Sequence, residues 1–252
     1  MAHFYLEESL AAQLSDAGPV PGAMVALRGP DARHAVTVAR VRSGERLRLG
    51  DGAGLVVHGT VTEVDSAELR LRVEGVEHHE RPHPRLLLVQ ALAKGDRDEL
   101  AAQAATELGI DGVTPWQAAR SVSRWEGTKA AKGAARWQSI VREASKQSMR
   151  PWLPEVEPLA TTKQLAARAS GAVMLVLDTE GDRPLATLTA AEFTGADIML
   201  VVGPEGGITD GELATLEAAG ASRVRLGDTV LRTSTAGLAA VSALLSRTSR
   251  WR

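Results

Sequence analysis

Two periodicities divide the chain. Up to about residue 75, apolar positions alternate singly with polar ones over short spans. These are Glu45 to Leu49, Leu55 to Val64 and Glu68 to Val73, the last setting Leu69, Leu71 and Val73 against Arg70 and Arg72. Alternation of period two predicts half-buried strands, hence a small barrel or sheet. Asp51-Gly52 supplies a turn between two of the strands. Asp31 stands where it would cap a short helix through His34 to Arg40. Glu77 to Pro84, with its charges, three His and two Pro, breaks the pattern as a linker does.

Beyond it, apolar runs alternate with helical periodicity. Strands are predicted at Leu86 to Ala91, near Val113, and at Ala172 to Leu177, Ile198 to Val202 and Arg223 to Leu226. Helices are predicted at Asp98 to Leu108, Thr128 to Ser148, Lys163 to Ala169, Asp210 to Ala219 and Ser234 to Leu245. Thr209-Asp-Gly-Glu212 reads as a capping box and Gly220 as a stop, which bounds the fourth of these helices. The whole predicts an α/β fold with a mainly parallel sheet, preceded by a smaller β domain.

Composition narrows the chemistry. The chain has 252 residues, 44% hydrophobic and 24% charged, values ordinary for a globular protein. Only 3% are aromatic, so the core must be filled by Ala, Leu and Val, which suits helices on a parallel sheet. Zero cysteines exclude disulfides, thiolate zinc sites and cysteine nucleophiles. All six His lie in the first third without the spacing of metal ligands, so no metal site is expected. No run reaches the roughly 18 apolar residues of a membrane span, and the N-terminus lacks the pattern of a signal peptide, so a cytoplasmic protein without membrane partner is expected. Net charge is −2, but it is unevenly spread. Between Pro115 and Trp152 eight Lys or Arg face two acids, a local +6. Between Glu155 and Gly220 three basic residues face eleven acidic ones, a local −8. A clustered basic face attracts phosphate even on an acidic protein.

In an open α/β sheet, ligands bind beyond the carboxyl ends of the strands. Two segments stand there. Leu200-Val-Val-Gly-Pro-Glu-Gly-Gly207 brings glycines and exposed amides just ahead of a capped helix. It has neither the spacing of GxGxxG nor the Lys-Ser/Thr of a P-loop, which disfavours a phosphate cradle. Leu226-Gly-Asp-Thr-Val-Leu-Arg-Thr-Ser-Thr-Ala-Gly237 again leads from strand to helix, and its Leu226, Val230 and Leu231 suit a flat apolar slot. Arg232 sits at a helix start, an unfavourable place for a cation, which points to a functional reason.

Together, Gly203-Pro-Glu-Gly-Gly207 and Leu226-Gly-x-x-Val-Leu-Arg-Thr-x-Thr-Ala236 resemble the cofactor loops of the RsmE family, the 16S ribosomal RNA uracil-N3 methyltransferases of the SPOUT superfamily. Similar stretches run along roughly 230 residues: His34-Ala-x-x-Val-Ala-Arg40, Gly44-Glu45, Gln90-Ala-Leu-Ala-Lys-Gly95, Thr106-Glu-Leu-Gly109, Arg120-Ser-Val122, Arg136-Trp137, and Glu143-Ala-x-x-Gln147 with Arg150. Ser234 departs from the family pattern, in which many members carry Glu, and receives no acid-base role.

The resemblance implies a PUA-like RNA-binding β domain over 1–76, a linker over 77–84, and a SPOUT methyltransferase domain over 85–252 with a trefoil knot at about 196–245. It implies a homodimer that binds S-adenosylmethionine and acts on 16S ribosomal RNA or the small subunit. The implied cofactor-binding residues are Leu177, Gly203, Pro204, Glu205, Gly206, Gly207, Leu226, Gly227, Val230, Leu231, Thr233, Thr235 and Ala236. Uracil N3 must lose a proton, so Arg232 is the candidate to stabilise the base as an anion and Glu205 to accept the proton or hold its loop. Lys94, Arg120, Arg136, Lys146, Arg150 and Arg40 are the candidates for RNA phosphate. Three alternatives stay open: methylation of another RNA base or of ribose, an RNA-binding module without catalysis, and a dinucleotide oxidoreductase, whose glycine fingerprint is missing.

Overall fold

The computed structural model of the protein describes residues 3–17 and 21–251, so the outer limits of the expected domains, 1 and 252, fall outside the described residues. The chain forms two compact units, one of residues 1–81 with 145–153, the other of 82–144 with 154–252.

The first unit contains β1 (His3–Leu6), α1 (Leu10–Ala17), β2 (Met24–Arg28), α2 (Gly29–Thr37), β3 (Arg46–Gly50), β4 (Leu55–Val64) and β5 (Glu68–His78). They form one sheet in the order β1-β3-β4-β5-β2, antiparallel except for the β1–β3 pair. The expected alternation holds, with Leu69, Leu71 and Val73 buried and Arg70 and Arg72 turned outward. β5 runs on past Val73, because pairing with β4 resumes beyond a register shift at His58/Gly59 and continues to Leu55 opposite His78. The bulge breaks the period-two signal at that point.

Asp31 does something other than the capping expected of it. The helix begins earlier, at Gly29 with Pro30 in its first turn, and ends at Thr37. Asp31 is buried, accepting the Leu6 N–H at 3.2 Å and the Lys146 ammonium at 2.7 Å. Lys146 is therefore not a phosphate ligand waiting on a surface. Its side chain is 10% exposed, and a buried carboxylate already holds its charge. Arg40 is exposed in a left-handed backbone conformation, and Arg150 is half-buried within this unit. Residues 151–153 close the same unit through backbone bonds from Gly54 N–H to the Pro151 carbonyl and from Leu153 N–H to the Gly52 carbonyl. Gly54 is required here: its φ is +100°, and a Cβ would stand 2.6 Å from the His79 carbonyl oxygen.

The second unit contains β6 (Leu86–Ala91), α3 (Arg97–Leu108), β7 (Gly112–Trp116), α4 (Thr128–Gln147), β8 (Glu155–Val156), α5 (Thr162–Arg168), β9 (Ala172–Leu177), β10 (Arg183–Pro184), β11 (Asp197–Val202), α6 (Asp210–Ala218), β12 (Ser222–Arg225) and α7 (Thr233–Leu245), the end of α4 passing into the first unit. Its seven strands are all parallel, in the order β10-β12-β9-β11-β6-β7-β8. Every residue of β6 is buried, as expected of a strand covered on both faces. Leu87, Val89 and Ala91 join the core with Leu165 of α5 and Leu213 and Leu216 of α6. Leu88 and Gln90 point to the other face, where Gly237 brings α7 close: a Cβ there would lie 3.3 Å from both Leu88 and Val202 side chains. α3 packs beside α7, and the buried positions of the two helices include Ala101, Ala102 and Ala105 on α3 and Gly237, Ala240 and Val241 on α7. Thr209 and Glu212 form the predicted capping box, and Glu212 also accepts the Ala119 N–H and the Thr162 hydroxyl.

Asp31→Ala should destabilise the first unit by about 3 kcal/mol, since it removes a buried acceptor shared by a cation and an amide. Hydrogen exchange at the β1 and α2 amides reads this directly. Unchanged protection would show that Lys146 and Leu6 are equally well served elsewhere.

Candidate active site

Four strand-end segments of the second unit meet at one edge of the parallel sheet: 92–97 after β6, 177–179 after β9, 203–208 after β11, and 226–232 between β12 and α7. They surround a cleft of about 530 Å3, within the range of small-molecule sites.

Thr233, the first residue of α7, fixes the segments to one another. Its hydroxyl donates to the Gly203 carbonyl at 2.8 Å and accepts from Gln90 Nε2 at 2.9 Å. Gln90 also donates to the Ala91 carbonyl and is fully buried. β6, the loop after β11 and the start of α7 are thus joined by one hydroxyl, whose donor and acceptor roles are both used.

Of the expected cofactor residues, Leu177, Gly203, Pro204, Glu205 and Gly207 line the cleft from one side, and Leu226, Gly227, Val230, Leu231, Thr233 and Ala236 from the other. Gly207 has φ +73°, a conformation that favours glycine. Two expected residues lie elsewhere. Gly206 is absent from the lining and backs onto Arg120: a Cβ would meet Arg120 Cβ at 3.1 Å, and the Gly206 carbonyl accepts from the Arg120 guanidinium at 3.1 Å. Thr235, two residues along α7 from Thr233, contributes instead to a shallow depression shared with Ala104 and Leu108 of α3. A helix turns about 100° per residue, so neighbours of a lining position need not line the site.

Arg232 is exposed on the cleft wall, and its guanidinium has no protein hydrogen bond or ion pair among the described residues. Glu205 is engaged: Oε1 accepts the Lys94 N–H at 3.2 Å and an Arg97 N–H at 2.8 Å. Burial pushes this carboxyl up, but bonds from its own backbone, Arg97 and the Lys94 amide outweigh it, and the net shift is downward. A carboxylate so stabilised is a weaker base, which favours holding the loop over accepting a proton.

Sequence reasoning missed Arg97, Asp178, Thr179, Ile208 and Thr229, all on the cleft. Each follows a strand end by a few residues, so the strand-end rule applied to β6 and β9 as well as to the two glycine loops would have found them. Asp178 is paired with Arg223 at 2.6 Å. Among the phosphate candidates, Lys94 and Arg120 are exposed beside the cleft, and Arg136 is 62% exposed while pairing with Glu99 at 3.0 Å. Lys129, Lys132 and Arg136 follow helical spacing on the exposed side of α4, opposite buried Trp137, Val141 and Ala144. Among the described residues, no helix is long and apolar enough to cross a membrane, and no group of three or more His or carboxylate side chains is arranged to hold a metal ion.

Residues 79–245 match the family described as RNA methyltransferase domain, and residues 27–74 the one described as RNA methyltransferase PUA domain. Ribosomal RNA small subunit methyltransferase E of Mycobacterium bovis is 44% identical over 241 residues, covering 94% of this chain and 91% of that protein. The protein of the same name from Bacillus subtilis is 30% identical over 229 residues, covering 88% and 90%. The crystal structure of ribosomal RNA small subunit methyltransferase E from Neisseria gonorrhoeae bound to S-adenosyl methionine superimposes with a TM-score of 0.82 at 27% identity, covering 98% of both chains.

Because the folded pKa of Glu205 is depressed, its contribution to stability is fully present above the ordinary glutamate range and is lost as pH falls through the lowered value. Urea denaturation of wild type and Glu205→Gln should therefore differ by a constant amount from neutral pH down to that range, and the difference should shrink below it. A gap independent of pH would contradict the assignment of an ionised, bonded carboxylate.

Proposed function

This chain belongs to the RNA methyltransferase family of the ribosomal RNA small subunit methyltransferase E proteins, and on that premise we propose that it methylates N3 of a uridine in 16S ribosomal RNA with S-adenosylmethionine. The observation that carries the proposal is the meeting of 203–207 with 226–233 on one cleft whose wall presents the unpartnered Arg232. The cleft suits a nucleoside with a charged tail. It offers an apolar slot at Leu226, Val230 and Leu231, backbone amides and carbonyls on several loops, and charged groups at Arg97 and Glu205.

When bound, the cofactor supplies a methyl group on a sulfonium; the chain's residues do the rest. Arg232 donates to a uracil carbonyl as negative charge builds on the base, a bond stronger in the transition state than in the ground state. Glu205 keeps the loop after β11 attached to the segment after β6, and the N3 proton passes to solvent water, the base reacting as the anion that Arg232 stabilises. N3 lies on the Watson–Crick edge, so the base reacts unpaired or flipped out. The exposed cations of Lys94, Arg120 and the α4 face take phosphate, with the PUA domain and its exposed Arg40 as a further RNA surface; Lys146 and the half-buried Arg150 are left out of that surface.

The family reading sets domain limits of 1–76 and 85–252, whereas β5 continues through His78 into the expected linker and residues 145–153 group with the first unit; the strand order supports a knot at about 196–245. The chain runs from β9 to the edge strand β10, crosses to β11, then returns to insert β12 between β9 and β10. A homodimer follows from the family resemblance alone. A cytoplasmic location goes with action on the small ribosomal subunit.

The test is methylation of small-subunit RNA by the purified protein, followed by mass spectrometry of the nucleosides. 3-Methyluridine is the expected product, and a methylated ribose or another base would overturn the uridine-N3 reading. Arg232→Ala should lower turnover by about a hundredfold, with less than a threefold change in cofactor affinity. Equal losses would make it a cofactor ligand.

Phosphate contacts release counterions, with a salt slope of about −0.7 per contact on single strands. Lys132→Gln with Arg136→Gln should weaken RNA binding and flatten the slope by roughly one unit, read by fluorescence anisotropy at several salt concentrations. The same slope and affinity in this variant would move the RNA face away from α4.

A further inference from the structure

One end of the cleft is built from a pair of opposite charges. Arg97 opens α3 directly after Asp96, whose left-handed conformation (φ 57°) turns the chain at the cleft's edge. Its NH1 donates to Glu205 Oε1 at 2.8 Å, and both residues line the cleft, their side chains 42% and 27% exposed. A guanidinium carries five N–H donors, and no other protein acceptor takes the rest in the described residues. Glu205 Oε1 takes Arg97 and the Lys94 amide, its own backbone N–H adds a further bond, and among the described residues no cation is paired with Oε2.

The pair and the apolar residues Leu226 and Val230 are carried by the loops of different strands. Arg97 follows β6 and Glu205 follows β11, whereas Leu226 and Val230 follow β12, with β9 between. From β6 to β12 there are three strand spacings, roughly 14 Å. The cleft thus has an apolar end and an end with both signs of charge side by side.

Resting on the S-adenosylmethionine reading of the cleft, we infer that Arg97 and Glu205 form the subsite for the cofactor's amino-acid head, the guanidinium taking the α-carboxylate and Glu205 Oε2 the α-ammonium. A zwitterion needs a cation and an anion about as close together as its own two charges. The other charged groups on the cleft do not offer this. Arg232 has no acidic partner within ion-pair distance among the described residues, and Asp178 pairs with Arg223, which does not line the cleft, so that pair does not bring both signs of charge to it. The arrangement also gives Arg97 a reason to stand at a helix N-terminus, where a cation is otherwise unfavourable and an arriving carboxylate is welcome.

Two ligands separate the head from the rest of the cofactor: S-adenosylhomocysteine carries the amino-acid head, and methylthioadenosine lacks it. Titration calorimetry on the full chain should show Arg97→Gln weakening S-adenosylhomocysteine by about tenfold, the worth of one charge-assisted hydrogen bond, with methylthioadenosine unchanged. Arg97→Lys should recover part of the loss. Glu205→Gln should also weaken S-adenosylhomocysteine selectively, and Arg232→Gln should leave the ratio of the two affinities at its wild-type value. Equal losses for both ligands in Arg97→Gln would make the residue a support of the cleft and overturn the assignment, as would a normal ratio in that variant or a reduced ratio in Arg232→Gln. Wild-type protein that binds neither ligand would instead overturn the cofactor reading on which the subsite rests.

Discussion

The second unit depends on one hydroxyl. Thr233 is both the first residue of α7 and the joint between Gln90 on β6 and the carbonyl of Gly203 after β11. Each partner is part of a buried layer, so the loops of the cleft inherit the rigidity of the sheet. Glycine loops alone would pay an entropic cost to order around a ligand. Here the segments on either side are fixed before anything binds, which is how a cleft made of loops becomes preorganised. Gln90 tells the same story from below. A buried amide inside a strand is costly unless bonded; the Gln90 NH2 bonds its own strand at the Ala91 carbonyl and the Thr233 hydroxyl, while its Oε1 is buried without a protein partner among the described residues.

Electrostatics organise the same edge of the sheet in a graded way. Glu205 is paired with Arg97 and Asp178 with Arg223, and among the described residues Arg232 is left without a protein partner. Local charge counts from the sequence overstate what is available. Lys146 belongs to the basic run, yet its charge is consumed by buried Asp31. Arg136 keeps much of its exposure while paired to Glu99. Charge in a sequence is a sum, whereas a binding face depends on which of those charges remain solvated and unclaimed.

The parallel unit was the more legible part of the chain. Leu86–Ala91 and Ala172–Leu177 were predicted to the residue, and α6 to within one, because uninterrupted apolar runs and a capping box are local signals. β1, α1 and β2 were missed: β1 is four residues long and pairs in parallel with the distant β3, so nothing near it in sequence marks its register. Asp31 was misassigned for a related reason. Its buried partners, Leu6 and Lys146, are 25 and 115 residues away, and no local pattern distinguishes a capping carboxylate from one that is bonded across the fold. At the site, the two glycine loops were visible as unusual composition, but Arg97 and Asp178 were not, since an Arg in a first helical turn and an Asp after a strand are ordinary in isolation. Gly206 and Thr235 lie off the cleft lining, an orientation that motif matching does not carry.

The return of residues 145–153 to the first unit has a consequence for how the protein is made. The glycines of the β3–β4 turn find their backbone partners at Pro151 and Leu153, and Asp31 finds its cation at Lys146. As the chain leaves the ribosome, the strands of the first sheet are all available by His78, but the unit they belong to lacks the partners at 145–153 until β6, α3, β7 and α4 have all emerged. Contacts of such long sequence separation slow folding and leave the unit partly finished meanwhile. The two units cannot mature one after the other like beads on a string; an order of synthesis that runs from N- to C-terminus is crossed by an order of assembly that must reach residue 153 before the first unit is whole.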